Sequence, residues 1–198
     1  MKALLRTVLI ATAVVTVGCG YQGTATAVDP EEFNFDPGWI SVKNVQFQRQ
    51  VSDNDCGAAS LAMVLTHWGL PATPQDIAAA CPPSPAGSRA GHLRDLVKSR
   101  GLKAFLVHGT LDDLNKELSA KRPVIVGLVK PYATNALDHY EVVVAINPWK
   151  KLVATLDPAG GPRQNTYAGF LQEWEPAKCL TLVVIGKDPA GDPVGRTR

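Results

Sequence analysis

The sequence has no surplus of charge, no apolar run of membrane-spanning length and only four cysteines. Its formal charge of +2 comes from 20 basic and 18 acidic residues, and two of the bases, Lys2 and Arg6, lie in an N-terminal stretch that reads as removable. The remainder carries 18 against 18, too balanced for a general nucleic-acid binder, which needs excess Lys and Arg to displace phosphate counterions. The longest apolar stretch, Val8 to Gly18, falls well short of the roughly 20 residues of a membrane helix. No pair of histidines has ligand spacing with a cysteine or carboxylate, so no structural zinc is expected. With 45% apolar residues, 17 Gly and 15 Pro, and no internal repeat, the chain is neither collagen, coiled coil nor wholly disordered.

The first seven residues hold two positive charges and no acid, and the apolar run follows them directly, which is the layout of a signal peptide over residues 1–18. The run ends in Thr16-Val17-Gly18-Cys19, which resembles the lipobox of bacterial lipoproteins, although Leu or Val is usual where Thr16 stands. On that reading Cys19 is lipidated and the protein sits in the cell envelope, anchored to a bacterial membrane. The alternative is an unlipidated secreted chain, cut here or near Ala25 and Ala27. Residues 19–38, rich in Gly, Pro and small polar residues, read as a tether, and residues 187–198 as a disordered tail. One domain over residues 39–186 remains, large enough to bury a core.

Within it, Asp53, Asn54 and Asp55 precede Leu61, Val64, Leu65 and Trp68 at helical spacing, with Gly69 closing the segment. Thr73-Pro74 opens a short helix through Ala80, a third runs from about Ser88 to Arg100, and Thr110 with Asp113 makes a capping box for a fourth. The second half is rich in β-branched runs: 102–108, 123–129, 139–146, 152–157 and 180–186 read as strands. Helices packed on a largely antiparallel sheet make an α+β domain.

Cys56 falls in the first turn of the first helix, where unpaired N–H groups and the helix dipole favour a thiolate. Gly57 leaves room for a substrate carbonyl, and the Cys56 N–H points to where an oxyanion would form. The plainer reading of such a cysteine is a buried or disulfide-bonded thiol. A nucleophilic cysteine needs a base. His139 and Asp157 each lie nine residues from Pro148 in the turn between two strands, an offset that places them opposite or nearly so in a hairpin. Asp157 would then orient the imidazole toward Cys56, unless it merely starts the Asp-Pro-Ala-Gly-Gly turn. His67, His92 and His108 read as packing or surface residues.

The stretch from Gln50 through Ser52-Asp53-Asn54-Asp55-Cys56-Gly57-Ala58-Ala59-Ser60-Leu61-Ala62-Met63 to Trp68-Gly69 resembles the signature of the papain-like, bacteriocin-processing double-glycine leader peptidases. The likeness continues in order through Gly101-Leu102-Lys103-Ala104, Arg122-Pro123-Val124-Ile125, His139-Tyr140-Glu141 and Leu156-Asp157-Pro158. The resemblance implies a papain-like fold with Cys56 as nucleophile, His139 as base, Asp157 as orienting carboxylate, Gln50 as oxyanion-hole donor, and no cofactor. Many members are domains of ATP-driven peptide exporters. This sequence holds no phosphate-binding Gly-Lys-Ser/Thr loop, so a peptide exporter is expected only as a separate partner.

The function expected is therefore an exported, membrane-anchored cysteine endopeptidase acting on a peptide or precursor, with cleavage after Gly-Gly as the family's habit. The same site on an acyltransferase or amidase, and a binding module without turnover, are the alternatives. The segments 82–90 and 132–137 are the expected cleft walls. Cys81 and Cys179 are left either paired or as two thiols.

Overall fold

The computed structural model describes residues 23–29, 37–85, 87–132 and 135–186. The segment read as a signal peptide, Cys19 and the segment 187–198 read as a tail lie outside them. In chain order the elements are β1 (Thr26–Ala27), β2 (Ile40–Ser41), α1 (Cys56–His67), α2 (Pro74–Ala80), α3 (Ala90–Ser99), β3 (Lys103–His108), α4 (Leu111–Ser119), β4 (Val124–Pro131), β5 (Ala136–Asn147), β6 (Leu152–Asp157), β7 (Gly161–Thr166), α5 (Tyr167–Trp174) and β8 (Leu180–Ile185). This is an α+β domain. Its strands form one antiparallel sheet in the order β1-β7-β6-β5-β4-β8-β3, with β2 added beside the far end of β5.

Local chemistry accounts for the helix ends. Thr73 and Thr110 each accept a hydrogen bond from the backbone N–H three residues on and donate their own backbone N–H to the Asp76 and Asp113 carboxylates, reciprocal capping boxes that satisfy orphan N–H groups. Gly69 and Gly101, at φ +75° and +81°, stop α1 and α3 in the left-handed region. Helix α1 is buried from Cys56 to Leu65, so it is the central helix of its layer rather than an amphipathic surface helix. No helix among the described residues is long and apolar enough to cross a membrane.

The period-two alternation of the strands divides the core. Ile125, Val142, Leu182 and Val184 join the α1, α2 and α3 layer, while Val124, Val126, Val143 and Val183 meet α4 and α5 on the other face. A β-bulge at Val144 interrupts the β5–β6 register between Val143↔Thr155 and Ala145↔Ala154.

Three features depart from the expected organisation. Helices cover both faces of the sheet. The sheet begins inside the segment read as tether, because β1 pairs with Gln164 and Arg163 of β7 and Thr24 hydrogen-bonds Asn165. Strand β7 and helix α5 complete the domain although the strand's sequence, Gly-Pro-Arg-Gln-Asn-Thr, has no apolar pattern. Cys81 and Cys179 are both free thiols, packed in the cores on opposite faces of the sheet.

Candidate active site

Cys56 is the first residue of α1 and is 4% exposed. The expected aspartate cap works differently from a helix cap. Asp55 turns its carboxylate back to accept the N–H groups of Val51, at 3.1 and 3.2 Å, and Ser52, at 3.1 Å, locking the loop that delivers Cys56. Asn54 ties the same loop to the Ser84 carbonyl at 3.2 Å. Gly57 is needed here for space, since a Cβ would lie 2.7 Å from the Ser88 side chain.

His139 Nε2 lies 2.7 Å from Asp157 Oδ1, and the ring also hydrogen-bonds Cys56, leaving Nδ1 as the nitrogen toward sulfur. The three side chains are thus brought together, though not by the equal-offset pairing. Val142 pairs with Leu156, so continuing the register sets Asp157 opposite Glu141, with His139 one diagonal step away on the same face. The hairpin turn is centred further along than Pro148, and the diagonal span is within reach of an imidazole.

Burial of the ring opposes its charge, but the Asp157 and Cys56 hydrogen bonds outweigh that cost and push the His139 pKa up to about 10. Burial likewise opposes charge on Asp157, yet its hydrogen bond with His139 and the imidazolium charge hold it well below the ordinary carboxylate range, with the Ala159 N–H and Lys130 helping. Arg163 Nε adds a 3.1 Å contact from β7. The arrangement favours an imidazolium beside the sulfur.

A second buried group adjoins this one. Lys130 Nζ stands 2.6 Å from both Glu141 and Glu173, and all three are no more than 3% exposed. Burial raises Glu173 to about 7. Sequence reading missed these residues and Arg163. The signal was there in part: Lys130 ends an apolar strand and Glu141 stands between Tyr140 and Val142, where a solvated charge is out of place.

Gln50 is held against the Asp157 turn, its N–H donating to the Pro158 carbonyl at 3.1 Å while Arg49 reaches the Ala159 carbonyl at 2.6 Å. Its side-chain Nε2 donates to Ser52 within its own loop, at 2.9 Å, and its buried Oε1 has no partner. His67 lies against the Lys121 carbonyl and the Trp68 ring, and His108 against the Lys178 carbonyl. Neither lines the clefts beside Cys56, and nor does His92 on α3.

Two clefts meet at Cys56 and His139, of about 330 and 630 Å³. Pro85, Gly87 and Ser88 contribute from one expected wall and Tyr132, Ala136 and Leu137 from the other, while the segment from Pro176 to Leu180 adds a third that sequence reading did not foresee. His139, Glu141 and Asp157 offer donor atoms within 4.8 Å of one another, the one such group found among the described residues. Lys130 and Arg163 already neutralise its carboxylates, a charge set that disfavours a further cation.

Residues 44–183 match the Peptidase C39 family. The chain belongs to that family. A curated relative is the pediocin PA-1 transport/processing ATP-binding protein PedD of Pediococcus acidilactici, 26% identical over 136 residues. That match spans 69% of this chain and only 18% of PedD. Among solved structures, a double glycine motif protease from an AMS/PCAT transporter, in complex with its leader peptide, superposes at TM-score 0.58 with 23% identity, covering 73% of this chain and 93% of that one. The peptidase domain of Streptococcus ComA gives 0.61 with 21% identity over 73% and 100%. A C39-like peptidase structure from Bacillus anthracis gives 0.64 with 18% identity over 76% and 98%. These likenesses identify the fold as that of C39 peptidases, a cysteine-peptidase family.

Proposed function

We propose that the protein is a cysteine endopeptidase using Cys56, His139 and Asp157. The observation that carries this is the His139 ring, hydrogen-bonded to Asp157 on one nitrogen and to Cys56. The Cys56 thiolate attacks a peptide carbonyl, and the oxyanion is met by the Cys56 N–H and by Gln50, whose amide nitrogen has a second N–H beyond the one given to Ser52. The His139 imidazolium protonates the departing amine as the C–N bond breaks, leaving a thioester. His139 then takes a proton from water, whose oxygen attacks the thioester; the acid departs and Cys56 is regenerated. Asp157 keeps the ring oriented throughout.

The substrate in this reading is an exported peptide or precursor cut after small residues such as Gly-Gly, delivered by a separate exporter. The Cys19 motif supports a lipid anchor in the cell envelope. The family match and the relatives' own leader-peptide and transport descriptions support the substrate class.

The test is mass spectrometry of a peptide library containing Gly-Gly leaders, incubated with the protein under mild reductant, with Cys56→Ala as control. Paired fragments whose masses sum to that of the substrate plus one water, absent in the control, are expected. Products carrying an added amine would reassign the site to acyl transfer, and no product at all would leave a binding module.

A further inference from the structure

The end of the sheet opposite Cys56 has a chemistry of its own. Strands β5 and β6 turn there through Pro148-Trp149-Lys150-Lys151, where Trp149 is 88% exposed and both lysines are exposed. The turn is built firmly: Asn147 Oδ1 accepts the Lys150 N–H at 2.9 Å, and the Lys151 carbonyl accepts the Tyr167 N–H at 2.8 Å. A large apolar ring held in water on a fixed tip, flanked by two cations, is the composition of an interfacial anchor for a membrane with anionic lipids. Lys121 extends the basic character beside Ser41, to which its Nζ donates at 3.3 Å. Among the described residues, the acids near this end include Glu117, paired with Arg122 at 2.6 Å, and Asp112, which faces Tyr167.

A second observation names the occupant. The antiparallel register of β1 with β7, Thr26 to Gln164 and Ala27 to Arg163, carries the preceding chain toward Thr166 and Tyr167, beside Lys151. Gly23 is only four residues after Cys19. Four residues span at most about 14 Å. A lipid on Cys19 would therefore bring this end to the bilayer. His139 lies eight residues along β5 from Asn147, about 26 Å away at strand rise.

We propose that the β5–β6 tip seats on an anionic bilayer surface, with Trp149 at the interface and Lys150 and Lys151 against the headgroups, so that Cys56 faces away from the membrane. The orientation rests on the lipid-anchor reading above, whereas the affinity of the tip for anionic lipid does not.

The full chain, purified from membranes of a bacterial host, is mixed with vesicles of phosphatidylcholine alone or with 30% phosphatidylglycerol, both with brominated acyl chains. Intact mass separately reports whether Cys19 is acylated, so failure of the anchor reading is seen independently. The expected result is tryptophan quenching in the anionic vesicles that falls with added salt and loses its main component in Trp149→Phe. Lys150→Ala with Lys151→Ala should weaken the seated state about 30-fold, at roughly fivefold per lysine. Unchanged alkylation of Cys56 shows that these variants are folded. Absence of Trp149-dependent quenching in anionic vesicles, acylated or not, overturns the proposal, as does equal quenching in both lipids.

Discussion

On the α1 face of the sheet Leu61, Met63, Val64, Ile77 and Leu93 pack into one apolar cluster. Across the same strands, on the α5 face, Lys130, Glu141 and Glu173 are buried together, and His139 and Asp157 lie at their edge. The first face gains stability from area removed from water and tolerates similar shapes. The second carries desolvation costs that only mutual pairing offsets, so each member depends on the others. Apolar burial stabilises both faces, since Leu114, Leu118, Phe170 and Trp174 are buried on the α5 side as well, but the buried charges that set the electrostatics of the site are held on that side.

Substitutions sharpen that contrast. Asp157→Asn should leave the fold intact and lower peptide cleavage about 10⁴-fold, because the ring loses the anion that orients it; steady-state kinetics with circular dichroism check both halves. Lys130→Met should cost about 3–5 kcal/mol in urea unfolding, since it leaves buried carboxylates unpaired. Leu61→Ala on the apolar face should cost about 2–5 kcal/mol by cavity formation, yet leave the pH profile of cleavage unchanged. A shifted profile there would mean the two faces are not separable.

The pH dependence has a definite sign. His139 is raised from 6.5 to about 10 in the fold, so its contribution to stability is complete below pH 6.5 and is lost as pH climbs to about 10. Thermal melts of His139→Ala should lack that decline. Glu173, raised from 4.5 to about 7 by burial, holds its proton longer folded than unfolded, so stability falls as pH rises between those values. Glu173→Gln should remove that decline, worth roughly 3 kcal/mol across the interval.

Most of the fold was legible where local chemistry and burial agree. The Thr110–Asp113 capping box, the Thr73-Pro74 helix start and the five apolar strands stand close to where pattern places them, and Asp76 completes a second capping box that sequence reading missed. Strand β7 was not legible, because its backbone pairs with β6 and β1 while its side chains carry no alternation. Helix α5 had a readable Phe170–Trp174 spacing and a Thr166 cap, but no apolar run long enough to draw attention. At the site, spacing brought His139 and Asp157 near each other, and the bulge at Val144 with the displaced turn altered the register by which they meet. Lys130 and Glu141 stand out in sequence as charges within apolar strands, but their pairing with Glu173 and the contact of Arg163 with Asp157 are visible only once elements from distant parts of the chain are side by side.

The most direct measurement of the central claim is the rate at which iodoacetamide alkylates Cys56 at pH 6, followed by peptide mass so that Cys81 and Cys179 are scored apart, in the wild type and in His139→Ala. A Cys56–His139 pair acting as proposed reacts rapidly in the wild type and on the order of a hundredfold more slowly without the imidazole. Equal and slow rates in both would make Cys56 an ordinary buried thiol and contradict the catalytic assignment.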